Sequence, residues 1–161
     1  MEVIDVNLQS IKLFSKVLID VAEGLIISGQ PMWEPVNLTV EALLKQYDIH
    51  NMKMCYENNE LIGVFILQWY DSLFWPEIKA DTAGFIHKLA VRREFNDKGY
   101  GNKIIEEVKL ICISINVNYL KLNCGTFRTR LRNFYENAGF IMLDRVFIDN
   151  RDQIRYEMFL G

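Results

Sequence analysis

The sequence predicts a mixed α/β domain of three layers, and we expect residues 1–161 to form this single domain. Two observations lead to this prediction. Apolar residues recur at helical spacing near both ends of the chain, whereas the centre consists of short apolar runs separated by polar turns, as in strands and hairpins. The length suffices to bury a sizeable core, and no repeat, low-complexity segment or Pro/Gly/Ser-rich linker divides the chain.

The composition is that of an ordinary soluble globular protein, with 50% hydrophobic and 24% charged residues. A net charge of −3 argues against nucleic acid as a partner, because non-specific binding normally needs a basic face. The apolar run LIGVFIL at 61–67 is far too short to cross a membrane. The first residues, MEVIDVNLQS, lack the apolar core of a signal peptide.

The three cysteines, Cys55, Cys112 and Cys124, have no Cys-x-x-Cys or Cys/His spacing. An odd number without such spacing favours buried thiols in a reducing compartment over disulfides or a zinc site. We therefore expect a cytoplasmic protein that binds no metal.

The first part of the chain predicts a short strand at 2–6 and two helices. Asn7 is a candidate N-cap for the first helix, and Gly29 with Pro31 in SGQP marks its end. Its apolar stripe consists of Ile11, Phe14, Leu18, Val21 and Leu25. Asn37 is the candidate N-cap of a second helix, which runs to Asp48.

The remainder alternates strands with helices. Residues 51–71 form a hairpin pattern around the polar turn ENNE, and FIHKLAV at 85–91 reads as a strand. A helix follows the glycine-containing loop, with Ile104, Val108, Ile111 and Ile115 on one face. Next come a strand at 119–124, a helix ending at Gly139, and a closing hairpin formed by FIMLDRVFI and IRYEMFL.

The loop in RREFNDKGYGNKIIEEV, residues 92–108, lies where a chain can hold a phosphate group. It lacks the Gly-Lys-Ser/Thr of a P-loop, and Ile104 stands where a dinucleotide fingerprint needs a third glycine. What remains is a strand, a glycine turn and a helix start, whose amides and dipole suit an anion. The loop by itself fits either an anionic cofactor or a plain turn. Asp97 suits an anion site only if its side chain faces solvent or caps the helix.

A second motif is LRNFYENAGF at 131–140, in which Tyr135 precedes the helix-ending Gly139. Leu131, Phe134 and Ala138 form a core stripe on this helix, so Tyr135 either packs beside that stripe or serves the chemistry. The two motifs together are more specific than either alone. The order is a strand ending LAV, a GYG loop opening a helix, another strand, and a helix carrying FYENAGF.

That order resembles the GNAT family of acetyl-CoA-dependent N-acetyltransferases over nearly the whole chain, most strongly at 83–140. The family's loop pattern Gln/Arg-x-x-Gly-x-Gly/Ala falls on Asn96, Gly99 and Gly101. The two glycines match and Asn96 departs from the pattern. The resemblance implies the GNAT fold, an α/β fold with a mixed, mostly antiparallel central sheet, splayed parallel strands and helices on both faces.

The resemblance also implies an activity, the transfer of an acetyl group from acetyl-CoA to a primary amine of a small molecule or peptide by direct attack. The backbone of Leu89, Ala90 and Val91 would hold the pantetheine arm and the acetyl group. The pyrophosphate would lie on the loop residues Asn96, Asp97, Lys98, Gly99, Tyr100, Gly101 and Asn102. Arg128 is a candidate for the adenosine phosphates, at a position where the family often has asparagine.

Two side chains are candidates for proton transfer. Tyr135 matches the family's tyrosine that protonates or hydrogen-bonds the departing CoA thiolate. His87 lies on the strand nearest the acetyl group, where strict alternation would place it on one face with Phe85, Leu89 and Val91. It is either a core residue or the base that accepts a proton from the amine.

The acceptor amine is not identified by the sequence. Aromatic and acidic residues in the predicted acceptor region either bind an amine through cation–π and charge contacts or belong to the core. They are Trp33, Glu34, Trp69, Tyr70, Trp75 and Glu77. The family often dimerises, so a homodimer is one expected state.

Two other functions fit the same sequence. The chain could be a non-catalytic module that senses acyl-CoA, because Asn96 and Asp97 depart from a strong anion loop. It could also be a protein-interaction domain that uses the aromatic segment 69–77 and binds no cofactor.

Overall fold

The structure, a computed structural model, describes Met1–Gly161 and contains four helices and seven strands. The helices are α1 (Ile11–Ile27), α2 (Val40–Gln46), α3 (Tyr100–Ser114) and α4 (Thr129–Asn137). The strands are β1 (Glu2–Asp5), β2 (Met52–Glu57), β3 (Glu60–Gln68), β4 (Gly84–Val91), β5 (Tyr119–Gly125), β6 (Ile141–Ile148) and β7 (Arg151–Phe159). The strands follow the order β1-β2-β3-β4-β5-β7-β6, mostly antiparallel, which confirms the predicted fold class.

The chain divides into two compact units. The first comprises Met1–Leu67 and Lys88–Glu107, and the second comprises Gln68–His87 and Val108–Gly161. Strand β4 and helix α3 therefore each contribute residues to both units. That residues 1–161 act as one domain stays a prediction. None of the four helices combines the length and the hydropathy that crossing a bilayer requires.

Helix α1 of the first unit starts later than the sequence predicts and ends where predicted. Asn7 is not its N-cap, because the Asn7 side chain accepts hydrogen bonds from the amides of Gln9 and Ser10, at 2.9 and 3.0 Å, and closes a separate turn. The helix then begins at Ile11. At the other end Gly29 has φ of 77°, and the Gln30 amide donates to the Leu25 carbonyl at 2.8 Å, which is a left-handed helix ending.

Helix α2 begins at Val40, so the predicted N-cap at Asn37 is also wrong. Pro35 opens a 3-10 turn that runs to Leu38 and contains Asn37. The N-cap is Thr39, whose hydroxyl accepts a hydrogen bond from the Ala42 amide at 3.2 Å. The turn is tied to α1, because the buried Ser15 hydroxyl donates to the Leu38 carbonyl at 2.6 Å.

The β2–β3 hairpin confirms the predicted turn and supplies the central strand of the first unit. Asn58 and Asn59 have φ of 52° and 64°, the left-handed pair that a tight two-residue hairpin requires. Strand β3 is buried from Leu61 to Leu67. Gly63 allows a close approach within it, because a Cβ there would lie 2.5 Å from the Ala90 carbonyl oxygen of β4.

Strand β4 is confirmed, but its predicted alternation is wrong. Lys88 has φ of 51°, which places a left-handed residue in the middle of an otherwise extended strand. Phe85 and Ile86 are both buried on one side of this irregularity, and Ala90 is buried beyond it. Alternation therefore does not continue through Lys88, and a shared face for His87 and Leu89 no longer follows from their spacing.

The sheet of the second unit consists of the start of β4 and of β5, β7 and β6, in which β7 pairs antiparallel with both β5 and β6. Parallel pairing between β4 and β5 covers Gly84 with Leu120 and Phe85 with Lys121, at the beginning of both strands. The β6–β7 hairpin turns through Asp149 and Asn150, both with positive φ.

The apolar residues of α3 are shifted relative to the predicted stripe. Its buried side chains are Ile104, Ile105, Val108 and Cys112. Ile115 lies beyond the last helical residue, Ser114, and is exposed.

The contact at Gly63 leads to a prediction about stability. We expect Gly63→Ala to lower the free energy of unfolding by about 1–3 kcal/mol, because the added methyl group would overlap a backbone carbonyl that cannot move as a flexible side chain could. Thermal or denaturant unfolding measures the change. Gly29→Asn is the control: nothing lies within 4 Å of a Cβ there, and asparagine tolerates the left-handed backbone. Equal stability of Gly63→Ala and wild type would contradict this packing.

Candidate functional site

The loop between β4 and α3 has the backbone geometry of an anion-binding turn. Arg93–Phe95 form a 3-10 turn, and α3 begins at Tyr100 after the loop residues. Asp97 and Gly99 have φ of 60° and 78°, whereas Lys98 between them does not have a positive φ. Left-handed residues placed next to residues of negative φ can turn successive backbone amides toward one concave side, an arrangement that suits an anion. The N-terminus of α3 adds its positive dipole end.

Asp97 and Lys98 are both exposed at the surface of this loop. An acidic residue suits an anion site if its side chain faces solvent or caps the helix, and the exposed position of Asp97 fits the first of these alternatives. The Lys98 ammonium lies 5.5 Å from the centre of the Phe95 ring. A cation–π contact of this kind leaves the charge of Lys98 in place.

Other basic residues of the segment are engaged by carboxylates of the first unit. Arg92 pairs with Glu94 at 2.5 Å and donates to the Leu61 carbonyl at 2.9 Å. Lys103 pairs with Glu57 at 2.9 Å, and hydrogen bonds from Lys103 and Tyr100 lower the pKa of the Glu57 carboxyl. The same bond to Glu57 raises the pKa of Tyr100. These contacts fix the first turn of α3 against β2.

An open cavity of about 720 Å³ lies in the first unit between α1 and this segment. Arg92, Arg93, Glu94 and Asn96 line it from the segment, and α1 contributes Val17, Asp20, Val21 and Glu23. Arg93 crosses α1 at Gly24, where a Cβ would lie 2.8 Å from the Arg93 Nε atom. The Arg93 side chain thus lies against the bare backbone at position 24, which is compatible with glycine there although glycine normally lowers helix stability.

The other cofactor residues expected in the first unit precede this loop directly. Ala90 is buried, and Leu89 and Val91 are half-buried. The Arg92 amide donates to the Ile62 carbonyl at 2.9 Å, so the end of β4 is held to β3. Of the loop residues, Tyr100 and Gly101 are half-buried, and Asn96 and Asn102 are exposed. The structure therefore brings 89–91 and 96–102 together as one continuous strand, turn and helix start.

Tyr135 lies on α4 of the second unit in an aromatic environment. Only 8% of its surface is exposed, and its ring centre lies 5.2 Å from that of Phe134 and 5.7 Å from that of Phe140. Burial, followed by the nearby Cys124, raises the pKa of the Tyr135 phenol well above its ordinary value. The phenol therefore stays protonated throughout the neutral pH range, which makes it a hydrogen-bond donor.

The end of α4 holds Tyr135 in place. Gly139 has φ of 101°, and the Phe140 amide donates to the Tyr135 carbonyl at 3.0 Å. The left-handed glycine ends the helix and directs Phe140 back onto the Tyr135 ring. The motif FYENAGF thus specifies both the helix end and the environment of the tyrosine.

A second buried phenol, Tyr156 on β7, has partners of its own. Its hydroxyl donates to Glu136 at 2.7 Å and accepts from Arg132 Nε at 2.9 Å. Its ring centre lies 6.5 Å from that of Tyr135. Tyr156 could not be recognised from the sequence as a neighbour of Tyr135, because the two residues meet only when α4 packs on β7. The Arg132 and Glu136 pair at i and i+4 was its one local signal.

Arg128 directly precedes α4. A Cβ on Gly125 would lie 3.3 Å from Arg128 Cγ and Cδ, so the side chain lies over the end of β5. Partial burial lowers the pKa of the Arg128 guanidinium. Arg128 and Tyr135 are therefore held by the same helix, with Arg128 at its start and Tyr135 near its end.

His87 lies near the end of the second unit's part of β4, with 18% of its side chain exposed. Its Nε2 atom is 3.4 Å from Oδ2 of Asp71, a buried residue in the long loop before β4. Asp71 was not identified from the sequence, because it lies 16 positions before His87, with loop and strand between them. Its only local signal was a turn pattern, Asp followed by Ser, in the middle of an aromatic stretch.

Two of the six acceptor candidates are engaged inside the second unit. Trp75 is 1% exposed, with the Lys121 ammonium 4.9 Å and the Arg155 guanidinium 4.6 Å from its ring centre. Glu77 pairs with Arg155 at 2.6 Å. Of the two alternatives, Trp75 therefore belongs to the core, and the Glu77 carboxylate is engaged by Arg155. In the first unit Trp33 is half-buried with Lys88 at 5.2 Å from its ring, and Glu34 is exposed.

Of the remaining acceptor candidates, Trp69 is half-buried and Tyr70 is exposed. The aromatic segment 69–77 as a whole packs inward, since Phe74 and Trp75 form a buried cluster with Ala83 and Phe85. This leaves Tyr70 and Leu73 as its exposed large side chains. Phe74 and Trp75 of the segment therefore contribute to the core of the second unit.

The strand order, with β4 leading through a left-handed turn into α3 and with α4 between β5 and β6 in the chain, is the α/β fold expected of an acetyltransferase. The model of the Acetyltransferase (GNAT) family matches residues 26–140. The chain belongs to the GNAT acetyltransferase family. A curated relative, the uncharacterized N-acetyltransferase YesJ of Bacillus subtilis (strain 168), is 25% identical over an alignment of 137 residues, and the match covers 76% of this chain and 72% of YesJ.

Solved structures show the same fold at low sequence identity. The PaiA N-acetyltransferase from Thermoplasma acidophilum, in complex with coenzyme A, has a TM-score of 0.73 at 16% identity and covers 98% of both chains. A GNAT-family acetyltransferase from Listeria monocytogenes has a TM-score of 0.72 at 18% identity, covering 98% of this chain and 94% of that one. One from Elizabethkingia anophelis, with acetyl-CoA bound, has a TM-score of 0.56 at 21% identity over 73% and 81%.

The three free thiols lead to a prediction that also bears on activity assays. Burial raises the pKa of Cys55 to about 12 and those of Cys112 and Cys124 to about 11. At about pH 8 a thiol of pKa 11 is ionised to roughly one part in a thousand, so we expect negligible reaction with a disulfide reagent in the native protein. Denaturant should release all three. A native thiol that reacts as fast as a free small thiol would contradict this burial.

Proposed function

We propose that the protein is an N-acetyltransferase that moves an acetyl group from acetyl-CoA to a primary amine of a small molecule or peptide by direct attack. Family membership supports acetyl transfer in general. Two of the structural neighbours have coenzyme A or acetyl-CoA bound, which supports acetyl-CoA as the co-substrate. The observation that carries the proposal is Tyr135, a buried phenol on α4 at the position where the family has its tyrosine. A phenol is protonated at neutral pH, and the burial of Tyr135 raises its pKa further.

The cofactor contacts that we propose are made mainly by backbone. The amides of the loop residues hold the pyrophosphate, helped by the dipole of α3 and by the charge of Lys98. The backbone of Leu89, Ala90 and Val91 holds the pantetheine arm and the acetyl group, much as an added strand would be held. Arg128 binds a phosphate of the adenosine part. Because these contacts are carried by backbone groups, Asn96 in place of Gln or Arg weakens binding without removing it.

The proposed reaction is a single displacement. A neutral amine nitrogen attacks the thioester carbonyl carbon, a C–N bond forms, and the C–S bond breaks with its electron pair on sulfur. A backbone amide near Leu89 stabilises the oxyanion as it develops. Starting from the ammonium form, the nitrogen gives up two protons, of which one ends on the CoA sulfur and the other reaches solvent through a base.

Tyr135 stabilises the departing thiolate in this proposal. A raised pKa makes a phenol a weaker acid, which by itself disfavours full proton transfer to a thiolate of pKa roughly 8.5. The same desolvation that raises the pKa of the Tyr135 phenol also raises the pKa of the CoA thiol when it is buried beside the phenol. The pKa values of the two groups therefore shift in the same direction. Tyr135 is therefore suited to donate a strong hydrogen bond and to complete the proton transfer as the C–S bond breaks.

His87 is the proposed base that takes a proton from the amine. Histidine is suited to this role because its ordinary pKa lies near neutral pH. The side chain is largely buried but retains some access, with 18% exposed. A proton that reaches His87 from the amine, directly or through a water molecule, can pass on to solvent.

We also propose the compartment, the binding partners and the assembly of the protein. Three free cysteines support a reducing compartment, and we propose the cytoplasm. The partners that we propose are acetyl-CoA and the amine acceptor, with no nucleic acid, membrane or metal in the reaction; a homodimer is the proposed assembly to examine by light scattering.

Incubation of the protein with acetyl-CoA and a panel of amines, with release of the free CoA thiol as the readout, tests this function. Amino acids, polyamines and peptide N-termini each present a primary amine. Turnover with any of them supports the proposal. Tight binding of acetyl-CoA without turnover on any amine would favour the alternative function, an acyl-CoA-binding sensor module.

Removal of one hydroxyl tests the role of Tyr135. We expect Tyr135→Phe to lower kcat about 100-fold or more with little change in KM, because the donor to the thiolate acts mainly after acetyl-CoA is bound. Steady-state kinetics measures both parameters. Tyr156→Phe is the matched control: it removes another buried hydroxyl, one engaged by Glu136 and Arg132, and should affect stability more than kcat. A wild-type kcat in Tyr135→Phe would remove this residue from the mechanism.

The charge of Asp97 gives a test of the loop. We expect Asp97→Gly to leave CoA affinity unchanged or to tighten it up to about fivefold, because an exposed charge contributes about 0.2–1 kcal/mol and glycine accepts the same left-handed backbone. Titration calorimetry with CoA measures Kd. Asp97→Asn removes the charge with a residue that also tolerates this backbone, and should behave alike. Weaker CoA binding in both variants at unchanged stability would show that the carboxylate assists binding.

A further inference from the structure

We propose that Asp71 is the positioning residue of His87, holding a hydrogen on the Nε2 atom of the imidazole and fixing the ring for proton transfer. This inference rests on the proposed function, in which His87 accepts the proton of the amine. Both residues belong to the second unit, and Asp71 Oδ2 lies 3.4 Å from His87 Nε2. The side chain of Asp71 is 6% exposed and that of His87 is 18% exposed.

The turn at 71–75 fixes which carboxylate oxygen faces the histidine. Asp71 Oδ1 accepts hydrogen bonds from the amides of Leu73 and Phe74, both at 3.0 Å. The Trp75 amide donates to the Asp71 carbonyl at 3.1 Å and closes the turn. Oδ1 is thereby committed to the backbone, and Oδ2 is the oxygen directed at His87. This arrangement leaves the carboxylate little freedom to rotate.

Packing holds the turn beside β4. The Trp75 ring centre lies 6.0 Å from that of Phe85, which is two residues before His87 on the same strand. Phe74, Trp75 and Phe85 are all at most 5% exposed. Because Asp71 starts the turn that carries these aromatic residues, its position relative to His87 is fixed by the hydrophobic cluster as well as by hydrogen bonds.

Asp71 Oδ2 and His87 Nε2 are both buried and lie 3.4 Å apart, but they are not aligned as a hydrogen bond in this conformation of the two side chains. A buried carboxylate oxygen without a donor is costly, and a small rotation of the imidazole ring would bring a hydrogen on Nε2 into line with it. A hydrogen on His87 Nε2 relieves this cost in the neutral imidazole, and the full positive charge relieves it further in the imidazolium. Asp71 therefore favours one tautomer of His87 and stabilises the form that has taken up a proton.

Other charged groups of the second unit near this turn are engaged with one another. Lys121 pairs with Glu157 at 2.5 Å, and Arg155 pairs with Glu77 and Asp144 at 2.6 and 2.7 Å. Lys88 follows His87 directly in β4 and contacts the Trp33 ring in the first unit. Lys121 and Arg155 are thus paired with other carboxylates, and Asp71 lies within ion-pair distance of His87.

Asp71→Asn is a sharp test because the turn determines how the amide must lie. Its oxygen is needed by the Leu73 and Phe74 amides, so its NH2 group takes the place of Oδ2 and presents hydrogens to His87 Nε2. We expect the neutral imidazole to change from the Nε2–H form to the Nδ1–H form. Nitrogen-15 NMR of the labelled full-length protein distinguishes the two tautomers, and only two histidines, His50 and His87, need assignment.

A matched control exists at the other histidine. Asp48 Oδ1 accepts from the His50 amide at 2.9 Å in a similar small turn, so Asp48→Asn is the same substitution in the same kind of turn. It should leave the His87 signals unchanged. An unchanged His87 tautomer in Asp71→Asn would overturn the inference. If Asp71→Asn folds poorly, Asp71→Ser retains an acceptor for the turn amides, lacks the second oxygen, and should also reduce the Nε2–H population.

A kinetic cycle tests whether the pair serves the reaction. We expect Asp71→Asn to lower kcat about tenfold or more with little change in KM, and to have no further effect on kcat in a His87→Ala background. Additive losses would overturn the positioning role, because they would show that Asp71 acts independently of His87. Absence of acetyl transfer by the wild-type protein on every amine would instead overturn the proposed function, while the NMR comparison still decides whether Asp71 sets the state of His87.

Discussion

The conformation of β4 is the constraint on which most of this structure depends. The strand pairs with β5 only at Gly84 and Phe85, adopts a left-handed conformation at Lys88, and approaches β3 so closely at Ala90 that only glycine fits at position 63. It then leads directly into the left-handed turn before α3. Eight residues thus contain the proposed base, the backbone proposed to hold the pantetheine arm, and the entry to the proposed phosphate loop.

Two buried tyrosines in the second unit show how surroundings assign different roles to the same side chain. Tyr156 is committed to Arg132 and Glu136, so its hydroxyl connects α4 to β7. Tyr135 is surrounded by rings, and burial alone accounts for most of the rise in its pKa. A phenol in apolar surroundings is a persistent donor, whereas one within a charged network is a structural link. This difference favours Tyr135 for chemistry.

The order of elements could be predicted because hydrophobic periodicity extends over whole strands and helices, and the glycine positions 29, 99 and 139 could be read because each needs a positive φ. Helix starts were less predictable, since Asn7 and Asn37 are good caps in isolation but lie in short turns that precede the true starts. The left-handed Lys88 has no local signal. Asp71 and the cations over Trp75 were missed because their partners are distant in sequence.

Arg155 has a consequence for the order in which the second unit assembles. Its guanidinium bonds Asp144 across the β6–β7 hairpin, 11 residues away, and also bonds the Phe74 carbonyl and Glu77, which are 81 and 78 residues away. Contacts of short sequence separation form at lower entropic cost than distant ones. We therefore expect the C-terminal hairpin to form before the loop at 69–83 docks on it. The turn that brings Asp71 to His87 would then be completed late in folding, after the end of the chain is in place.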